Sequence, residues 1–470
     1  MPILLYNSLT KKKEEFIPIN PDGKTVKMYT CGVTVYDRCH IGHARSLYVF
    51  DVIRRYLKFR GYQVRFVRNL TDVDDKIIHK ANELKKTSEQ VARENIASYY
   101  EDLKSLGIDP ADCEPRATDN IDDMVKHIEG LIAQDFAYEV EGDVYFNVRK
   151  FSDYGKLSGQ TIDKMMEAVR IEKDSKKKDP LDFALWKKSK ENDPSWISPW
   201  GSGRPGWHIE CSCMSMKHLK CETLDIHAGG RDLIFPHHEN EIAQSEALTH
   251  KPFARYWIHH GLLTMNGQKM AKSLGNFITV EGLLKKHSVD DLKLFFLFSH
   301  YASPIDFSEE KIEEVRKALQ KFDILFWKTY EILKDKRVSV PVQTDFIKEH
   351  KSRFIAAMDD DFNTPEALAS LFDFISATNK FIEEGKKDKN YLGILTCAVD
   401  TIEALAKHIF GLFLKEKEVD LSDEEKSLLE ERQLARVQKN FKRSDELRDH
   451  LRHKGIAVED GREGQTWRRL

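Results

Sequence analysis

Two histidines three residues apart, two lysines three residues apart, and a scattered set of thiols and imidazoles are the groups best suited to chemistry in this chain of 470 residues. Residues 31 to 43 read CGVTVYDRCHIGH and lie between a strand-like run and an amphipathic helix. His40 and His43 fall where that helix begins, so an anion there meets unpaired amides, the helix dipole and two imidazoles. Gly42 lets a ligand come close to the backbone. Taken alone, His-x-x-His usually marks ordinary surface histidines. Residues 267 to 276, GQKMAKSLGN, place Lys269, Lys272 and Ser273 on a glycine-flanked loop after a strand. Two ammonium groups there suit the charge that develops on a transferring triphosphate. A solvated basic loop explains this second motif equally well on its own. The two together, each following a strand of one sheet, are hard to attribute to chance.

The third group offers metal ligands. Residues 236 to 241, PHHENE, open a helix, and His237 and Glu241 at i,i+4 point from one face. Cys211 follows GWHIE at another helix start, and Cys31 ends the first strand. A Cys, Cys, His, Glu set suits zinc. Cys213 and His238 are rivals for two of these places, and His and Glu on a helix are most often merely solvated.

Strand-helix alternation must position these groups. Residues 25–30 and 62–67 read as strands around a helix over 42–60, a β-α-β unit with a right-handed crossover. A helix-rich stretch over 75–134 and strand-like runs at DVYFNV and LDFALW follow. Alternation then resumes with a helix at 208–219, a strand at 223–227, a helix at 236–248 and a strand at 254–264. From 308 the pattern becomes long amphipathic helices, and 455–470 reads as a small β or turn cap. The expected fold is therefore α/β, a split Rossmann-like parallel sheet with an inserted connective domain, then a helical bundle and a small C-terminal mixed α/β cap. The expected units are 1–115 and 204–265 for the two catalytic halves and 116–203 for the insertion. The loop region takes 266–307, the bundle 308–420 and a terminal unit 421–470.

Hydrophobic residues at 41% supply sizeable cores, so wholesale disorder is excluded. A net charge of −3 excludes a uniformly basic nucleic-acid coat. The segment from Arg432 to Leu470 carries 11 Lys and Arg against 6 Asp and Glu, and with Phe441 and Trp467 it suits phosphate contacts and base stacking, although a solvated helical face with a structural Trp explains it more readily on its own. Seven cysteines, odd in number and spread out, argue against a disulfide framework. No run reaches the roughly 18 apolar residues of a membrane span, so the expectation is a cytoplasmic protein without membrane association.

The residues resemble the cysteinyl-tRNA synthetases, a family of class I aminoacyl-tRNA synthetases, and the compact length resembles bacterial forms. His40-Ile41-Gly42-His43 resembles the class I HIGH signature, and Lys269-Met270-Ala271-Lys272-Ser273 the KMSKS signature, with Ala271 departing from it. TCGVTVYD (30–37), RNLTDVDDKI (68–77), GWHIECS (206–212), DIHAGGRDLIFPHHENEIAQSEA (225–247) and MDDDFNTPEALASLF (358–372) extend the likeness to the terminal GQTWRR. By this resemblance Cys31, Cys211, His237 and Glu241 bind one zinc ion per chain. Gly32, Thr71, Trp207 and His227 form the cysteine pocket. His40, Gly42, His43 and Lys272 bind ATP, with Lys269 completing the catalytic set.

The activity so implied is ATP-dependent activation of L-cysteine, with magnesium accompanying ATP, and transfer to the 3′-terminal adenosine of tRNA(Cys) by a monomer. The amino-acid carboxylate is already a nucleophile, so positioning and charge stabilisation carry the first step. Zinc would separate cysteine from serine, which an ordinary pocket rejects by only about 10 to 200-fold. A cysteine ligase acting on an amino-sugar amine shares the catalytic motifs but lacks the full terminal module. A zinc-dependent RNA-binding protein without catalysis leaves the paired lysines and histidines without a purpose.

Overall fold

A computed structural model of the chain describes residues 2–168, 176–191, 193–269, 277–334, 340–412, 421–461 and 464–469. The centre is a four-stranded, all-parallel sheet built from two halves. β1 (Thr25–Thr34), α1 (Ile41–Phe59) and β2 (Gln63–Thr71) form the first. α2 (Trp207–Leu219), β3 (Leu224–Gly230), α3 (Glu239–Thr249) and β4 (Ala254–His260) form the second. The strand order is β4-β3-β1-β2, with parallel pairing throughout. The chain leaves β1 toward β2 on one side and returns at β3 on the other, so a crevice opens beyond the carboxyl ends of β1 and β3. Ligands of open α/β sheets bind at such a switch point.

Three elements differ from the sequence expectation. β1 runs on to Thr34, because a register shift between Thr30 and Val33 lets the chain keep pairing with β2. Cys31 therefore lies within the strand and does not end it. The strand expected over 254–264 divides at Gly261, where a Cβ would stand 2.2 Å from the Ser303 carbonyl oxygen. Leu263–Met265 instead joins Gln268–Lys269 and Ile305–Phe307 in a separate three-stranded sheet. The helix expected from Pro236 starts at Glu239, and Ile234–His238 forms one wide turn before it.

Between the halves stand the helix Ile121–Ala133 and a five-stranded antiparallel sheet. Its strand order is Ala137–Val140, Asp143–Phe146, Phe183–Lys188, Gly201–Pro205 and Trp196–Ser198. Its core, with Phe146, Leu185 and Trp186, continues onto Ile209 and Met214 of α2. The insertion is thereby seated on the helix that carries Cys211.

α1 is buried on both faces, with Arg45, Asp51 and Arg54 buried among its apolar residues. One face covers the sheet, and the other meets Val280–Leu284, Val289–Leu297 and the turn Leu405–Ile409, through which it shares one core with the C-terminal helices Glu309–Leu333, Asp345–Asp359, Thr364–Glu384 and Tyr391–Ala404. The Tyr48 hydroxyl donates to the Phe410 carbonyl oxygen at 2.7 Å, and Tyr56 donates to Asp359 Oδ1 at 2.6 Å. Buried Arg45 donates to the carbonyls of Gly261, Leu262, Tyr301 and Ser303, which ties α1 to the loop leaving β4.

The terminal unit comprises helices Asp423–Val437 and Phe441–His453 and a hairpin of Ile456–Gly461 with Gly464–Arg469. Its own small core is Leu429, Leu451, Ile456 and Val458. Fully buried Arg432 donates to both Asp460 carboxylate oxygens at 3.0 and 2.9 Å and to Gln465 Oε1 at 2.8 Å, fixing the hairpin to the first helix. Among the described residues no helix is long and apolar enough to cross a membrane.

Candidate active site and metal centre

At the switch point, β1 brings Cys31, the first turns of α2 bring Cys211, and the wide turn before α3 brings His237 and His238 beside Glu241. Cys31 Sγ lies 3.8 Å from Cys211 Sγ and 3.4 Å from Glu241 Oε1, while His237 Nε2 lies 2.9 Å from Glu241 Oε1. The donor atoms of Cys31, Cys211, His237 and Glu241 all fall within 4.8 Å of one another. The His237 nitrogen is buried and approaches the carboxylate off the hydrogen-bonding direction, as a ligand aimed at a shared cation would. The four groups named from sequence are thus brought together, in a geometry that could hold a metal ion.

A second set meets the same distance limit: Cys31, His227, His238 and Glu241. His238 Nε2 is 3.3 Å from Cys31 Sγ but 4.0 Å from Glu241 Oε1. His227 Nε2 is taken up by Glu241 Oε2 at 2.7 Å, and its ring stacks on Trp257 at 4.5 Å between centroids. His238 Nδ1 is 2.8 Å from His259 Nε2, and His259 Nδ1 is 2.8 Å from Ser8 Oγ. This imidazole row runs away from the thiols into the protein. Cys213, the other rival, belongs to the insertion core and burial pushes its thiol up to about 12.

The electrostatics of the cluster follow from burial without water. Burial raises the Glu241 carboxyl, but His227 and His237 outweigh it and hold the group well below the usual carboxylate range. Burial opposes protonation of His237, yet Glu241 and Cys211 push it up to about 10. Burial also raises Cys211, while the hydrogen bond from Cys31 and the imidazole of His237 bring it down to about 6. Burial, then Cys211 and Glu241, hold the Cys31 thiol well above its ordinary range. An entering cation displaces such protons as it binds.

The neighbouring residues form one hydrogen-bonded wall. Gly32 N–H donates to Asn69 Oδ1 at 2.8 Å, Asn69 Nδ2 donates to Thr71 Oγ1 at 3.2 Å, and Thr71 donates to Glu210 Oε2 at 2.8 Å. A Cβ on Gly32 would stand 1.6 Å from the Asn69 carbonyl oxygen, so β1 can cross β2 this closely only with glycine. Gly32→Ala should destabilise the protein by about 3 kcal/mol, read as a lower urea midpoint with an unchanged slope. Trp207, 37% exposed, stacks on His237 at 3.9 Å between centroids and closes the outer side. On its inner side His237 Nδ1 is 2.9 Å from His208 Nδ1. Asn69, His208 and Glu210 in this wall, and His259 in the imidazole row, were not singled out individually from sequence. Asn69 sits two residues before Thr71, and His208 and Glu210 flank residues already chosen, which was the available signal.

His40 caps α1. Its Nδ1 accepts from the backbone N–H of Gly42 at 3.1 Å and of His43 at 3.3 Å, while the His40 N–H donates to His43 Nδ1 at 3.4 Å. The two rings stack at 3.7 Å. Burial takes His40 down to about 4 and, with His40 and Lys76 adding to it, His43 down to about 3. Both are therefore neutral near pH 7 and accept at Nδ1, so each carries its proton on Nε2 as a donor. The backbone beyond the second motif is clamped to this turn. Ile41 N–H donates to the Ile278 carbonyl at 3.2 Å, Val280 N–H to the Cys39 carbonyl at 2.9 Å, and Phe277 meets the His40 ring edge-on at 5.2 Å. The backbone of Lys269 pairs with Thr264. Lys272 and Ser273 lie outside the described residues.

Comparisons with known proteins agree along the whole chain. The family described as tRNA synthetases class I (C) catalytic domain matches residues 18–317. A DALR domain matches 353–415, and a cysteinyl-tRNA ligase anticodon binding domain matches 418–468. The cysteine–tRNA ligase of Persephonella marina is 50% identical over 494 aligned residues, covering 100% of each chain. That of Aquifex aeolicus is 47% identical, covering 100% of this chain and 99% of its own. Among solved structures, Mycobacterium tuberculosis methionyl-tRNA synthetase with methionyl-adenylate aligns at TM-score 0.61 and 15% identity over 83% of this chain and 92% of that one. A ternary complex of Agrobacterium radiobacter LeuRS with tRNA aligns at TM-score 0.61 and 11% identity over 86% of this chain and 87% of that one. These two likenesses establish the class I fold, and the full-length identity establishes more: the chain belongs to the cysteine–tRNA ligase family of class I aminoacyl-tRNA synthetases.

Proposed function

We propose that the protein activates L-cysteine with ATP and magnesium and transfers it to the 3′-terminal adenosine of tRNA(Cys), with one zinc ion in the Cys31, Cys211, His237 and Glu241 cluster. The observation that carries this reading is that donor set at the mouth of the parallel sheet, in a chain matching cysteine–tRNA ligases end to end. Zinc bonds of about 2.0–2.1 Å to nitrogen or oxygen and 2.3 Å to sulfur give tetrahedral donor separations of roughly 3.3–3.8 Å. The observed 3.8 and 3.4 Å between Cys31 and its partners fit that range, and the 2.9 Å between His237 Nε2 and Glu241 Oε1 would have to open by about 0.4 Å. Two sulfurs also favour zinc over harder divalent ions.

Zinc bound there supplies a soft Lewis acid that prefers the thiolate of cysteine to the hydroxyl of serine. The chain's own groups do the rest. Gly32, Thr71, Trp207 and His227 border the cluster and shape the space for a small side chain. The Nε2–H donors of His40 and His43 and the N-terminal amides of α1 receive phosphate oxygens of ATP, with Gly42 allowing the approach. Because both imidazoles are neutral, they add directed hydrogen bonds, and the ammonium groups of Lys269 and Lys272 add the positive charge. The same reading assigns the unit boundaries at 115, 203, 265, 307 and 420, and a monomer working in the cytoplasm.

Charging of total bacterial tRNA with labelled cysteine tests the proposal. Cysteine on tRNA, with serine rejected by far more than 200-fold, is the expected result. Cysteine-dependent pyrophosphate exchange without charging would move the acceptor to a small amine. The terminal unit supplies a separable prediction. Arg432→Leu removes the hydrogen bonds to Asp460 and Gln465, while Arg436 stays 2.8 Å from Asp460, so the cost is about 1 to 2 kcal/mol. The hairpin should loosen, reducing tRNA charging at least about tenfold while pyrophosphate exchange stays at the parent rate.

A further inference from the structure

Outside the metal cluster, one cysteine has an imidazole and an amide arranged behind it. Residues 113–116 run beside the free edge of β2, bridging Val67 to Cys113 and Leu70 to Arg116. Half-buried Cys113 places its Sγ 3.5 Å from Nδ1 of His218, in the last turn of α2. His218 Nε2 lies 3.0 Å from Asn120 Oδ1. Asn120 is 2% exposed, and its Nδ2 donates to the Arg116 carbonyl at 2.7 Å, which fixes the amide with Oδ1 toward the imidazole. Lys217 Nζ also donates to that oxygen at 2.7 Å. An amide oxygen can only accept, so His218 carries its proton on Nε2 and presents the Nδ1 lone pair to the Cys113 thiol. A thiol, a base and a group orienting the base is the arrangement of an activated nucleophile.

We propose that Cys113 is a thiol–disulfide exchange site for low-molecular-weight disulfides, with His218 as its general base and Asn120 as the residue that positions the base. Burial and Glu114 raise the thiol, and burial and Lys217 lower the imidazole, so the resting pair is neutral and the proton moves only on attack. The Cys113 proton passes to His218 Nδ1, and the sulfur bonds to one sulfur of the disulfide. The S–S bond breaks, and the leaving thiolate takes the proton from the imidazolium. One disulfide and one protein thiol become one mixed disulfide and one free thiol. The site is distinct from the metal cluster, although α2 carries Cys211 two turns before His218. It stands independently of the proposed substrate.

Cystine is a suitable probe, used on the metal-loaded protein with peptide mapping over time. Cys221 and Cys397 are half-buried as well, with no imidazole contact among the described residues, and serve as internal references. Cys113 is expected to form the mixed disulfide at least about tenfold faster than either. His218→Gln should slow Cys113 at least about tenfold and leave the reference rates unchanged. Labelling of Cys113 no faster than Cys221 and Cys397 in the parent protein overturns the proposal. So does a His218→Gln rate within about twofold of the parent. A variant with a loosened fold would instead accelerate all three cysteines, and the parent comparison then decides.

Discussion

Replacing Cys211 with serine should strip zinc from the protein and raise the KM for cysteine at least about 100-fold, leaving the KM for ATP nearly unchanged. Cys211 is 1% exposed and shares its donor space with Cys31, His237 and Glu241 inside 4.8 Å. A serine hydroxyl stays protonated near neutral pH and is a poor zinc ligand, so one of two soft donors is lost. The ATP side is spared because His40 and His43 stand on α1 and are held by their own capping bonds. The same variant should lose its preference for cysteine over serine, falling toward the roughly 10 to 200-fold that shape alone supplies. Metal content by mass spectrometry and steady-state pyrophosphate exchange read both effects. Equal rises in the two KM values would remove the cluster from thiol recognition.

Lys272→Ala should slow adenylate formation by about 100 to 1,000-fold, the usual loss of roughly 3 to 4 kcal/mol for one donor to developing charge. Cysteine affinity should stay near the parent value, because Lys269 to Ser273 include no thiol, imidazole or carboxylate that could join the donor groups of the metal cluster. The flanks of the motif are anchored beside the nucleotide side. Gln268–Lys269 pairs into the small sheet, and residues 278–280 bond to the turn holding His40. On the proposed reading the two histidines, lowered to about 4 and about 3, add hydrogen bonds without charge, and lysine and magnesium would supply the positive charge for the leaving pyrophosphate. Single-turnover activation measures the step directly. A parent-like rate would take Lys272 out of the catalytic set.

The sequence was most informative where chemistry is local. His40 to His43 lie in one helical turn, so residue type and spacing define a helix start facing an anion, and the capping bonds have that geometry. The terminal β cap was also readable, since its two strands are close neighbours in the chain. Boundaries were less legible where a tertiary contact overrides local pattern. The apolar run over 254–264 is continuous in sequence, yet Gly261 must pass against the Ser303 carbonyl and the strand divides there.

Residue types and their order determined the α/β class, the family resemblance, and the candidates Cys31, Cys211, His237 and Glu241. Residue types alone left His237 and His238 open, and the structure brings both near the cluster, His238 Nε2 standing 3.3 Å from Cys31 Sγ. The turn before α3 sends His237 toward Glu241 at 2.9 Å and His238 toward His259 at 2.8 Å. Thr71 against Glu210, and Cys113 against His218 and Asn120, are likewise products of sheet register and helix packing. Periodicity along the chain reports which face of an element is apolar. It carries no information on which two faces, more than a hundred residues apart, will be pressed together, and that is settled only when the halves of the sheet pair.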